Sequence, residues 1–121
     1  MCILFTLGIR YIKMVNVGDF ILNKVHDYIG FVIWADKDKS VSIVLDRNPG
    51  AKSDVLKTEI ENSLGHLRVE VLLEVDKIAA TPALVEKTRE YLKQVNSRKT
   101  IDNLFYIELM NKLNEDQLRS N

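Results

Sequence analysis

Apolar and polar positions change their period along this chain, and each change marks an element. Tyr28 to Ala35 is a run of aromatic and β-branched residues, the composition of a strand. A polar break, Asp36-Lys37-Asp38-Lys39, follows it. Ser40 to Leu45 then alternates, with Val41, Ile43 and Leu45 on one side and Ser40, Ser42 and Val44 on the other. Two strands about a short polar break predict a hairpin. Phe20-Ile21-Leu22, after the turn-prone Gly18-Asp19, predicts another strand. Leu67 to Val75 is the clearest strand of all. Val69, Val71, Leu73 and Val75 form one face, and Arg68, Glu70 and Glu74 fall on the other. Leu72 breaks that alternation, so part of the second face is expected to be covered.

Between and after the strands the period becomes helical. Asn48-Pro49-Gly50 is a turn signal. Ser53 is placed to cap a short helix, Leu56, Ile60 and Leu64 share its face, and Gly65 stops it. Thr81-Pro82 opens a second helix, a capping hydroxyl before proline at the first helical position. Its apolar stripe is Leu84, Thr88, Tyr91, Leu92 and Val95. After the polar turn Asn96 to Lys99, Thr100 is placed to cap a final helix to about Leu113. Ile101, Leu104, Phe105, Ile107, Leu109, Met110 and Leu113 surround most of that helix, which therefore needs covering on more than one side. In so small a chain the simplest second cover is another copy.

These elements predict an α+β fold. A small, mainly antiparallel sheet, SH3-like and partly closed, carries one short helix and a C-terminal helical hairpin. Residues 14–121 form a single domain: 14–80 mainly sheet with one helix, 81–114 the hairpin, and 115–121 a frayed tail. Residues 1–13 form an N-terminal strand or an extension, depending on whether the native start is Met1 or Met14. The 121 residues suit one domain with its own core. The apolar run Met1 to Leu7 is far short of the ~20 residues of a membrane span. Its charges follow the apolar run, the wrong order for a secretory signal.

Charge and cysteine content narrow the partners. Lysine plus arginine and aspartate plus glutamate both number 17, so no basic excess draws nucleic acid or an anionic membrane. Balanced charge also weakens the repulsion between copies. The single cysteine, Cys2, forms no internal disulfide and fits a reducing, cytoplasmic setting.

Candidate chemistry is sparse. Asp36, Asp38 and Ser40 alternate like the start of a calcium loop, but Val41 and Arg47 stand where that loop needs glycine and glutamate. Gly50-Ala51-Lys52-Ser53 echoes a phosphate loop, yet Leu45 replaces the first glycine and Ala51 separates Gly50 from Lys52. A weaker anion site remains, made from Arg47, Lys52 and the amides at Ser53. Trp34 with Lys37, Lys39, Arg47, Lys52 or Arg68 offers a route to single-stranded nucleic acid. By strand parity Trp34 shares a face with Tyr28, and Phe31 points away. His26 and His66 are the only histidines, and neither sits with a nucleophile or a ligand set. No catalytic residue, metal ligand or cofactor is assigned.

No family is recognised. The order of glycine-aspartate strand, loop, aromatic strand, polar tip and alternating strand resembles that of SH3-like barrels. The later strand and helix are loosely similar to the ribonuclease toxins of plasmid-addiction modules. The arginine-proline those toxins place after the first loop is missing, since this chain reads Lys24-Val25-His26-Asp27, and no catalytic residue carries over. The leading expectation is a non-enzymatic interaction or adaptor protein. It acts as a homo-oligomer through Leu104, Phe105, Ile107 and Met110, with a protein partner and without a membrane. A nucleic-acid-binding barrel is second, and a small hydrolase or ribonuclease-like toxin third.

Overall fold

The computed structural model describes residues 15–47, 66–98 and 102–120. Five strands are present there: β1 (Phe20–Asn23), β2 (Tyr28–Ala35), β3 (Lys39–Arg47), β4 (Leu67–Val71) and β5 (Val75–Ile78). A 3-10 turn, Leu72–Glu74, links β4 to β5, and two helices follow, α1 (Pro82–Ser97) and α2 (Asn103–Ser120). The strands form one sheet in the order β4-β3-β2-β1-β5, with every neighbouring pair antiparallel. The fold is α+β, as the periodicities predict. Among the described residues no helix is long and apolar enough to cross a membrane.

The topology forces the sheet to curl. Strands lie ~4.8 Å apart, so the edges of a flat five-stranded sheet stand roughly 19 Å from each other. β4 and β5 are those edges, yet the chain from Val71 to Val75 spans at most ~14 Å. The single turn therefore crosses the concave side. It is held at both ends: Leu72 N donates to Asp38 O at 3.4 Å, and Lys24 N donates to Glu74 O at 2.8 Å. The two edge strands do not pair with each other, so the sheet is curled but open.

Both faces of the sheet are covered. On the convex side Phe20, Phe31, Ile33, Ile43 and Leu45 pack against Val85, Leu92, Val95, Leu109 and Leu113 of the helices. On the concave side Ile21 and Val32 pack with Val15, Leu72 and Val75. Gly30 lies on the concave face beside Ile21, where a Cβ would meet the Cβ of Ser42 at 3.0 Å.

The helices follow their capping rules. The Thr81 hydroxyl accepts from Leu84 N at 3.2 Å, with Pro82 at the first position of α1. Asp102 caps α2 by accepting from Phe105 N at 2.9 Å. Arg89 joins the helices through Asn114 Oδ1 at 3.0 Å.

Several expectations need correction. The strand expected over Leu67 to Val75 is two strands and a turn, because Leu72 is where the chain leaves one edge for the other. α2 runs to Ser120 rather than ending near Leu113. Residues 114–120 contain no glycine or proline and several good helix formers, so nothing stops the helix. The strand parity of Trp34 also fails. A bulge between Val32 and Trp34 sets Trp34 opposite Val41, on the side of Phe31 and away from Tyr28. His26 and Asp27 lie in the β1–β2 turn, with Asp27 at φ 57°. The first strand or extension, the helix from Ser53 and the Thr100 cap lie outside the described residues.

Candidate functional site

The site is β4, a strand turned inside out. An alternating strand normally buries its apolar side and wets its polar side. Here Val69 is 67% exposed, Val71 49% and the following Leu73 79%, while Glu70 is 1% exposed. Leu67 and Trp34 are exposed as well. Register explains how these residues meet. Trp34 stands opposite Val41, and Val41 opposite Val69. The three side chains form a row across β2, β3 and β4, with Leu67 and Val71 flanking it along the edge.

The backbone of β4 is half used. His66 O accepts from Val44 N at 2.9 Å, and Leu72 N donates to Asp38 O. In an antiparallel ladder every second residue turns both peptide groups to the same neighbour. His66, Arg68, Glu70 and Leu72 therefore face β3. Leu67, Val69 and Val71 turn their N–H and C=O groups to the other side, where no strand pairs with them among the described residues.

Glu70 explains the inversion. The Tyr28 hydroxyl lies 2.6 Å from each oxygen of the Glu70 carboxylate and shares its one proton between them. Asn23 Nδ2 donates to Glu70 Oε1 at 2.8 Å. The carboxylate thus ties β4 to β2 and to β1 across the concave face. Asn23 is itself held by the turn, since its Oδ1 accepts from Val25 N at 3.0 Å and His26 N at 2.8 Å. The Arg68 guanidinium lies 5.8 Å from the centre of the Tyr28 ring, and His26 stacks on that ring with centroids 6.4 Å apart.

Burial pushes the Glu70 carboxyl above its ordinary range, against the hydrogen bonds from Tyr28 and Asn23 and the charge of Arg68. Burial, reinforced by the neighbouring Glu70, also raises the Tyr28 hydroxyl far above its usual value. The cluster joins an acid, a phenol and an amide that satisfy one another. It holds the strand in place.

The residues singled out from sequence are scattered. Trp34 is at the surface beside the β4 edge. Arg47 ends β3 opposite Tyr28. Arg68 is on the concave face, across the sheet from Trp34. Lys52 and Ser53 lie outside the described residues. On α2, Leu104 and Ile107 are exposed, whereas Phe105 and Met110 are half-buried against the helix-side core. Asp36 serves its turn, accepting from Asp38 N at 2.7 Å and Lys39 N at 2.9 Å. These bonds, the one from Lys39 first, lower its carboxyl. Among the described residues no cluster of three or more histidine, cysteine, aspartate or glutamate side chains could hold a metal ion. A hollow of about 270 Å³ lies between Asp19, Phe20, Ile78, Ala80 and Asp116, and the described residues lining it include no histidine, serine or cysteine.

The β4 edge was not found from sequence as a site. Its alternation was legible, but which face turns outward was not. No family model, no curated protein and no solved structure matches this chain.

Proposed function

We propose that this protein is a non-enzymatic interaction domain that acts as a homo-oligomer, and that its working surface is the β4 edge with Trp34. The observation carrying this reading is that Leu67, Val69 and Val71 of β4, and Leu73 of the turn after it, are exposed at an edge with which no strand pairs among the described residues. Edge strands left open are templates for another strand, and proteins usually blunt them with lysine, proline or a covering element. The outward positions of β4 hold only leucine and valine. A contiguous apolar patch at such a margin marks a contact surface. Balanced net charge favours contact between like copies.

The order of strands, with a 3-10 turn stepping between the two edges, supports an SH3-like reading of the sheet. That reading concerns the scaffold alone, since one fold serves many functions. The apolar residues exposed on α2, Leu104, Ile107 and Leu118, are separated by Asn111 and Glu115 and make a sparser surface. They carry the proposal less well than β4 does.

Native mass spectrometry of the purified chain across a dilution series tests the reading. A species of two or more copies that dissociates on dilution is expected. A monomer at every concentration up to tens of micromolar would contradict it.

A further inference from the structure

We infer that two copies pair through β4 itself, antiparallel about a two-fold axis at Val69, so that two curled sheets become one continuous sheet. This inference rests on the interaction reading above and specifies its geometry.

The direction of the peptide groups limits the choices. Only Leu67, Val69 and Val71 turn N–H and C=O outward, so hydrogen-bonded pairs across the interface must join these residues to one another. A two-fold axis at Val69 pairs Leu67 with Val71 of the second copy, Val69 with Val69, and Val71 with Leu67. Each pair exchanges both of its bonds, about six in all, the most that so short a strand permits. Moving the axis to Arg68 or Glu70 keeps fewer of these pairs.

Charge selects the same register. With the axis at Val69, Arg68 stands opposite Glu70 of the second copy at a non-hydrogen-bonded position, where side chains approach most closely. An axis at Arg68 places arginine against arginine, and one at Glu70 places glutamate against glutamate. Like charges directly opposite one another destabilise a strand pair, and opposite charges support it. The Glu70 carboxylate keeps its own bonds to Tyr28 and Asn23 beneath the sheet, so what the register at Val69 gains from charge is that it opposes no like pair, neither arginine to arginine nor glutamate to glutamate. An isologous contact needs a self-complementary surface.

The apolar row gains from the same arrangement. Trp34, Val41 and Val69 of one copy continue directly into Val69, Val41 and Trp34 of the other. The row becomes a band across the two-fold axis.

Val69→Pro is the discriminating variant. The Val69 N–H faces away from β3, so proline there removes an interface donor and leaves the β3–β4 ladder its own bonds. The expected result is an association at least tenfold weaker than wild type, with circular dichroism unchanged. Cysteine pairs give a second readout that does not depend on tolerance of proline. In a Cys2→Ser background, Val69→Cys should cross-link to itself under mild oxidation. Its Cα atoms would stand ~5.5 Å apart, inside the disulfide range. Leu67→Cys and Val71→Cys should each stay uncross-linked alone, at roughly 14 Å, and cross-link when mixed. A wild-type dimer that keeps its affinity in Val69→Pro and shows no Val69→Cys cross-link would overturn this arrangement and leave the interaction reading standing. A monomeric wild type would overturn both.

Discussion

The two edges of the sheet are finished in opposite ways. β5 presents Asp76 and Lys77 at its surface, and both are engaged: Lys24 Nζ lies 3.3 Å from Asp76 and Lys77 Nζ lies 3.4 Å from Asp19. A charged, ion-paired margin resists the approach of another strand. β4 presents Leu67, Val69 and Val71 and keeps its charged residues underneath. Among the described residues, one sheet thus has a protected edge and an edge left open. The difference does not come from a shortage of charge, since β4 carries Arg68 and Glu70. It comes from the face on which the charges sit, and Glu70 determines that face through Tyr28 and Asn23.

The largest effect is expected on removing that determinant. Glu70→Ala leaves the Tyr28 hydroxyl and the Asn23 amide buried without their acceptor. Each such group costs ~1–3 kcal/mol, partly offset by relief of the buried charge. A loss of about 3 kcal/mol is expected in urea unfolding, together with loss of association. Association retained at full strength would separate the open edge from the carboxylate beneath it.

A smaller effect sharpens the same point through pH. The Glu70 carboxyl is raised in the folded protein, so the folded state binds its proton more readily than the unfolded state does. Stability from this group is full below the ordinary carboxylate range. It is lost as pH rises through that range to the raised value. Glu70→Gln removes this titration. The difference in stability between wild type and Glu70→Gln should therefore shift in favour of the variant as pH rises through that window. A parallel pair of pH profiles would show that Glu70 does not titrate as its burial requires.

The smallest effect belongs to the protected edge. Asp76→Ala breaks an exposed ion pair, and such pairs contribute ~0–1 kcal/mol. Thermal unfolding should hardly move, and association through β4 should be unaffected. A loss of association as large as that from Val69→Pro would place the contact on the wrong edge.

These contrasts also show what could be read from the chain. The β2–β3 hairpin was legible because its strands lie next to each other in sequence and a polar tip separates them. The start of α1 was legible from Thr81-Pro82, a rule that operates over three residues. β4 was legible as an alternating strand but not as an inverted one. The partners of Glu70 lie 42 and 47 positions away, at Tyr28 and Asn23, and no local pattern reveals them. The face of Trp34 is hidden for a related reason: a bulge between Val32 and Trp34 shifts parity without a mark in the pattern. On α2 the pattern shows apolar residues around most of the helix but not which of them meet the core: Phe105 and Met110 face it, while Leu104 and Ile107 remain outside.

The most direct test is residue-resolved hydrogen exchange on the intact wild-type assembly. Arg68 and Glu70 turn their amides to β3 and should be protected whether or not copies associate. The amides of Leu67, Val69 and Val71 should exchange slowly in the assembly and rapidly once it is diluted to monomer. Rapid exchange at all three in an intact assembly would contradict strand pairing through β4.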